Sequence, residues 1–241
     1  HTLRFWNDPS SFDATDVAIL YANRDSLTST LTLITCPTTT ITSQDSYTAT
    51  YAWDFRENLT DFNGNETIAL LGDAEMDVSG IEFNGSTTYA TVPNTVQFGG
   101  TSTFALELYF TYFQNSSNRH FLDFMDSAQL NRFIIRLYNS DDLNILSKVN
   151  GSDLQTSVYN LTSNSQYHIV FVWTNSTTMD LYINGDWKSS HTLYIPPKSV
   201  QMTYLILGAH IDLDTDDFSL GTIHTLRFWN DPSSFDATDV A

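Results

Sequence analysis

The sequence has little positive charge and a single cysteine, and the shortage of cations excludes two classes of partner. Lysine and arginine together number 10, against 28 aspartate and glutamate residues, which gives a formal net charge of −18. A surface of this sign repels nucleic-acid phosphates and anionic lipid headgroups, so we expect neither as a partner. No apolar run approaches the roughly 20 residues that a membrane-spanning helix needs.

The one cysteine, Cys36, cannot form a disulfide within its own unit. It is therefore free, buried, or bridged to another unit or chain. Catalytic signatures are also missing: the sequence has no Ser-His-Asp order, no glycine-rich phosphate loop and no His/Cys metal spacing. The scattered histidines His120, His168, His191 and His210 are expected to be structural.

Two stretches of the chain are identical. Residues 1–18 and 224–241 both read HTLRFWNDPSSFDATDVA, at an offset of 223 residues. An identity of this length is not a chance event, and it indicates two successive units of a tandem array. The pattern of residues 10–24 predicts a short helix, with Ser11 or Asp13 as its N-cap.

The segment 26–50 is dominated by serine and threonine, which occupy 14 of its 25 positions. We interpret it as the linker between repeats. The Thr-Leu-Thr-Leu-Ile stretch, residues 30–34, suits a β-strand, and its Leu31 and Leu33 would pair it onto the sheet edge of a neighbouring unit. The alternative is a solvated spacer. Thr38, Thr39 and Thr40 are expected to carry O-glycans.

N-glycosylation sequons are frequent, and they fall in predicted turns and polar gaps between strands. In Asn84-Gly and Asn150-Gly the sequon asparagine is also the first residue of a β-hairpin signal. This placement predicts a secreted, extracellular glycoprotein. The seven candidate asparagines are Asn58, Asn65, Asn84, Asn115, Asn150, Asn160 and Asn175.

From Tyr51 onward the chain alternates apolar and polar residues in about a dozen short, turn-separated segments. The clearest, residues 103–113, places Phe104, Leu106, Leu108 and Phe110 on one face. Another hairpin joins residues 167–173 to residues 179–183, and the Asn184-Gly185 pair predicts the next turn, into Trp187 and beyond. Many short strands with almost no helix predict an all-β sandwich of two packed antiparallel sheets.

Several of these segments resemble the laminin-G-like, concanavalin A-like lectin/glucanase domains. They are YAWDF from Tyr51, GIEFNGSTTYATVP from Gly80, YHIVFVW from Tyr167 with LYING from Leu181, and GTIHTLRFWN from Gly221. The resemblance implies a jelly-roll sandwich over residues 51–241 with one short helix after the closing strand. Residues 1–25 would then be the closing strand and helix of the preceding repeat, residues 26–50 the linker, and the closing helix would be truncated at residue 241.

Some members of this fold cleave β-glucans with an E-x-D-x-x-E pattern on one strand, whose carboxylates face the same side. The sequence offers Glu75 and Asp77, but Ser79 and Gly80 occupy the place of the third carboxylate, so we expect no enzyme activity. Relatives also bind Ca²⁺ through acidic rim loops. Asp212, Asp214, Asp216 and Asp217 are candidate ligands, with a second cluster at Asp61, Asn63 and Asn65; a solvated acidic loop is the alternative.

The sequence therefore favours a structural unit of an extracellular glycosylated fibre, appendage or surface coat, whose partners are neighbouring copies of the same repeat. The competing hypothesis is a Ca²⁺-dependent carbohydrate- or receptor-binding module, repeated for avidity and acting in adhesion. Trp53 and Trp187 are candidate sugar-stacking residues under that hypothesis, although tryptophans of a sandwich core are the alternative.

Overall fold

A computed structural model describes residues 49–96, 103–113, 119–138, 141–175, 177–193, 202–213 and 218–230. These residues form fifteen β-strands and no helix, which confirms the predicted all-β class. They all belong to one compact unit, Tyr47–Ala241. The predictions for residues 1–25, for the short helix after the closing strand, for Cys36 and for the linker up to residue 48 lie outside the described residues.

The strands form two antiparallel sheets. In spatial order, the eight-stranded sheet contains β13 (Asp186–Thr192), β12 (Thr178–Ile183), β11 (Ser165–Trp173), β6 (Phe104–Tyr112), β15 (Leu220–Asn230), β4 (Gly80–Asn84) and β3 (Glu75–Asp77), with β1 (Tyr51–Asp54) also paired to β15. The seven-stranded sheet contains β10 (Ser152–Asn160), β9 (Asp142–Val149), β8 (Arg132–Tyr138), β7 (Arg119–Asp126), β14 (Met202–Leu207), β5 (Tyr89–Val92) and β2 (Ala69–Leu71).

The core lies between the two sheets and is rich in aromatic rings. The four alternating residues predicted to share one face of β6 are all buried, because side chains two apart in a strand point to the same side. Across the core, the ring of Phe228 on β15 meets that of Phe124 on β7 at 5.4 Å. Trp173 on β11 meets Phe133 on β8 at 5.2 Å. These contacts join the sheets face to face as a sandwich.

Strand β15 is central to the eight-stranded sheet. It pairs with β6 along its whole length, and on its other side its first residues pair with β4 and its later residues, from Thr225 to Phe228, pair with β1. Leu226 and Phe228 point into the core and are fully buried. Residues 224–230 of this strand are the residues repeated at positions 1–7. The duplicated stretch therefore begins with the sequence of a buried, central strand.

Two of the three Asn-Gly pairs predicted to form hairpin turns do form them. At Asn150-Gly151, between β9 and β10, and at Asn184-Gly185, between β12 and β13, both residues have positive φ. The hairpin prediction for Asn84-Gly85 is wrong. Strands β4 and β5, which flank this pair, belong to different sheets, so the turn carries the chain across the sandwich instead of closing a hairpin.

Candidate functional site

A cleft of about 330 Å³ opens in the segment that follows β1. This volume lies at the low end of the range of ligand sites, which begins near 300 Å³. Three of the lining residues are acidic, so the cleft favours neutral or cationic groups over anions. The lining residues are Asp54, Glu57, Asn58, Thr60, Asp61, Phe62 and Gly64.

Asp54 lines the cleft and forms an ion pair with Arg56. The carboxylate accepts hydrogen bonds from the guanidinium Nε at 2.7 Å and Nη2 at 2.6 Å. These hydrogen bonds lower the pKa of the Asp54 carboxyl below its ordinary value. The group is therefore ionised throughout the neutral range, where it can accept hydrogen bonds from hydroxyl groups of a ligand.

Asp61 holds the far side of the cleft together. Its carboxylate is buried and accepts main-chain N–H groups from Asn65 and Glu66, each at 2.8 Å, and from Asn63 at 3.3 Å. Gly64 takes a positive φ of 73° inside the same loop, a conformation that costs other residues energy. The Asp61 oxygens thus hold the loop backbone in place. The sequence suggests Asp61 only as a calcium ligand, together with Asn63 and Asn65.

Phe62 stands in this loop with 72% of its surface exposed, more than any other aromatic residue among the described parts of the chain. Its backbone is fixed, because its N–H donates to the Ala52 carbonyl of β1 at 2.9 Å. An apolar ring held open beside hydrogen-bond acceptors suits the apolar face of a sugar. Sequence reasoning missed this residue, because Asp-Phe-Asn-Gly carries no sign that its phenylalanine stays in solvent.

The acidic loop predicted to bind Ca²⁺ is described only in part. Asp212 is exposed, and its carboxylate lies 3.3 Å from Nδ1 of His210. Asp214, Asp216 and Asp217 lie outside the described residues. Within the ranges that the structure describes, no three His, Cys, Asp or Glu side chains come close enough to hold a metal ion. The calcium site therefore stays a prediction.

A buried polar cluster attaches the start of this loop to the seven-stranded sheet. The fully buried Asp123 carboxylate accepts both Nε and Nη2 of Arg132, at 3.0 and 2.6 Å, and the main-chain N–H of Ile211 at 2.9 Å. Arg132 also contacts Nε2 of His210, whose ring lies 4.8 Å from that of His120. These two histidines pack at the base of the loop, and their structural role stays a prediction.

The predicted glycosylation sites are at the surface wherever the structure describes them. All six described sequon asparagines are solvent-exposed, as glycan attachment requires. Asn115 lies outside the described residues. Whether any of the seven carries a glycan stays a prediction. The exposed asparagines are Asn58, Asn65, Asn84, Asn150, Asn160 and Asn175.

The other sequence candidates are not among the residues that line the cleft. Trp53 is a fully buried core residue whose Nε1 donates to the Glu66 carbonyl, whereas Trp187 is 57% exposed on β13. Glu75 and Asp77 are exposed on β3, at the edge of the eight-stranded sheet. Hydrogen bonds from Ser79 lower the pKa of the Asp77 carboxyl, so this group is ionised as well.

The architecture has relatives among known proteins. A laminin G family model, described as the concanavalin A-like lectin/glucanases superfamily, matches residues 84–240, well over half of the chain. The chain belongs to the concanavalin A-like lectin/glucanase superfamily. The predicted resemblance and the predicted sandwich are thereby confirmed. We found no match among curated protein sequences.

Solved structures share the fold at low identity. Domain 4 of AbnA, an extracellular GH43 arabinanase from Geobacillus stearothermophilus solved in complex with arabinotriose, has 18% identity and a TM-score of 0.59; the match covers 80% of this chain and 98% of that one. The receptor-binding domain of botulinum neurotoxin mosaic serotype C/D has 14% identity and a TM-score of 0.61, over 80% of this chain and 49% of that one.

At such low identities, these structural similarities show a common fold and nothing more. The present chain spans about half of the neurotoxin domain and nearly all of the arabinanase domain. In the described part of the chain, the structure contains no helix that is long and apolar enough to cross a membrane.

Proposed function

We propose that the chain is a non-enzymatic structural unit of an extracellular, glycosylated array of concanavalin A-like sandwiches. The observation that carries this proposal is the duplication of the last seven of the eleven residues of β15. Residues 224–230 fill the place between β1 and β6, where Leu226 and Phe228 are buried in the core. Residues 1–7 repeat them, so Leu3 and Phe5 carry the same inward pattern.

One sandwich has one place for such a strand. Both apolar side chains of the segment need a core face, because a strand that exposes them loses the burial that stabilises it. The first copy therefore belongs to a second sandwich, namely that of the neighbouring repeat. In this arrangement residues 26–50 join successive units, and residues 30–34 pair with an edge strand of the neighbour. The partners are other copies of the repeat.

Three further observations support an extracellular, non-catalytic role. The six described sequon asparagines are exposed, so glycans at these sites are compatible with the fold. The AbnA structure with the same fold comes from an extracellular enzyme. Glu75 and Asp77 lack the third carboxylate of the glucan-cleaving pattern, because Ser79 and Gly80 occupy its place.

The array is tested on material from the native source. An antibody raised against the sandwich is used on denaturing gels after enzymatic removal of glycans and after mild proteolysis. We expect a ladder whose bands differ by one 223-residue repeat. A single band of the mass of one sandwich, unchanged by proteolysis, contradicts the proposal. Comparison of reducing and non-reducing gels shows in the same experiment whether Cys36 bridges chains.

A second candidate function is saccharide binding, which the arabinotriose complex of the AbnA domain favours. The cleft beside Phe62 offers an exposed ring and ionised acceptors to such a ligand. Under the Ca²⁺-dependent form of this hypothesis, the loop from Asp212 to Asp217 holds the ion. Glycan-array binding that is lost with EDTA, together with a melting temperature raised by millimolar Ca²⁺, supports it; an unchanged melting temperature refutes the calcium site.

A further inference from the structure

The cleft contains both an attachment site for a sugar and a surface on which a sugar can pack. Asn58 belongs to the sequon Asn58-Leu59-Thr60, and its side chain lines the same cleft as the exposed ring of Phe62. No other described sequon asparagine lies among the residues that line this cleft. An apolar ring that stays in water is costly, so an adjacent group that covers it is favoured.

The loop displays Phe62 rigidly. The Phe62 N–H is bonded to Ala52 on β1, and the Asp61 carboxylate before it binds three main-chain N–H groups. At the other end of the segment, the N–H of Phe55 donates to the carbonyl of His224 on β15 at 2.9 Å. The exposed ring therefore belongs to an ordered loop that is bonded to the sheet at several points.

A hydrogen bond across the sequon positions the side chain of Asn58. Its Oδ1 accepts the N–H of Thr60 at 2.7 Å, which forms an Asx turn across the sequon. Because Oδ1 faces the turn, the amide nitrogen Nδ2, which would carry the glycan, is directed away from the turn backbone. Asn58 itself is solvent-exposed, while its main-chain N–H is bonded to the Asp54 carbonyl at 3.2 Å.

The chemistry of the lining selects a neutral sugar. Asp54 is ionised and Glu57 is exposed, so hydroxyl and amide N–H groups find acceptors there, whereas an acidic sugar meets repulsion. The innermost residues of an N-linked glycan are neutral N-acetylhexosamines. Their apolar ring face suits Phe62, and their hydroxyl groups suit the carboxylates.

We propose that the first sugar of an N-linked glycan on Asn58 packs on the ring of Phe62 and occupies the cleft. The inference rests on the glycosylation included in the proposed function. It identifies the saccharide of this cleft as one attached to the chain itself, in place of a free ligand. The glycan covers the exposed ring and, through it, restrains the segment between β1 and β2.

Asn175 provides a matched control within the same chain. Its Oδ1 accepts the N–H groups of Thr177 and Thr178, each at 2.8 Å, so it forms the same kind of turn across its sequon. It does not line the cleft, and none of the strongly exposed aromatic residues is its neighbour in sequence. A glycan on Asn175 should therefore project into solvent.

The test uses the full chain secreted from a eukaryotic host. Site occupancy is measured by peptide mass spectrometry, and the native protein is then treated with an N-glycan amidase. We expect Asn58 to be occupied and its glycan to be released more slowly than that of Asn175. Phe62→Ala should raise the release rate at Asn58 roughly tenfold and leave Asn175 unchanged, whereas Phe62→Trp should preserve the protection.

Three results would overturn the proposal. The first is an unoccupied Asn58 in a protein whose other sequons are glycosylated. The second is a release rate at Asn58 that Phe62→Ala does not change. The third is binding of a free N-acetylglucosamine disaccharide in NMR titrations that is equally strong for the glycosylated chain and for Asn58→Gln, because a cleft that holds its own glycan is closed to a free one. None of these results bears on the ladder of repeats, so the two proposals fail separately.

Discussion

Replacing Phe228 by alanine tests whether β15 packs into the core of the sandwich as described. Its ring is 1% exposed and lies 5.4 Å from Phe124, 6.2 Å from Trp53 and 6.3 Å from Phe104. Loss of so large a buried side chain leaves a cavity between the sheets. We expect the free energy of unfolding to fall by about 3–5 kcal/mol.

The chain provides a control with an identical sequence context. Phe5→Ala makes the same change within the same stretch, His-Thr-Leu-Arg-Phe-Trp-Asn. If the first copy belongs to another sandwich, this variant leaves the unfolding of the described sandwich unchanged. The assay is urea and thermal unfolding, monitored by circular dichroism and tryptophan fluorescence. For a domain of this size, Phe228→Ala should lower the melting temperature by roughly 6–20 °C. Equal losses for the two variants would refute the assignment of the copies to different sandwiches.

Three further predictions concern single residues. Gly221→Ala should lower the free energy of unfolding by about 3 kcal/mol or more, because its Cβ would lie 2.2 Å from the Thr111 carbonyl oxygen. Gly64→Ala has nothing within 4 Å of its Cβ, so it should lose only the roughly 1–2 kcal/mol that its positive φ costs. The midpoints of urea unfolding distinguish the two variants. Asp61→Ala should lower the free energy of unfolding by about 3 kcal/mol, because three main-chain N–H groups lose their acceptor. Rapid hydrogen exchange at the Asn65 amide should accompany this loss of stability. Burial lowers the pKa of His191, so as the pH falls the unfolded chain binds a proton at a higher pH than the folded chain does. The stability contributed by this residue is therefore present above about pH 6.5 and lost below it. His191→Asn should flatten that part of the curve of stability against pH.

The parts of the fold that the sequence predicts are those set by local periodicity. From Leu106 onward, strand β6 alternates buried and half-buried residues, because successive side chains face the core and the outside of the sheet in turn. The β11–β12 hairpin and the Asn184-Gly185 turn follow from the same rule, together with the ability of Asn and Gly to adopt positive φ.

Features that depend on pairing between distant strands were not predictable in this way. An Asn-Gly pair specifies a chain reversal, but it does not specify which strands its flanks join. Of the two strands that flank Asn84-Gly85, β4 pairs with β15 and β5 pairs with β14. Both partners lie more than 100 residues further along the chain. The hairpin prediction failed at this point because distant partners decided the pairing.

The cleft depends on side-chain burial, which the sequence does not state. Asp61 resembled a surface calcium ligand, yet its carboxylate is turned inward to bind the backbone of its own loop. That inward turn leaves the next residue, Phe62, in solvent. A buried aspartate followed by an exposed phenylalanine reverses the usual preference of both residue types, and only the fold shows it.

Electron microscopy of the protein in its native state tests the central claim most directly. If each 223-residue repeat builds one sandwich and the linker joins it to the next, the particles are chains or filaments with one density per repeat. Isolated globules, each the size of a single sandwich, would contradict the account.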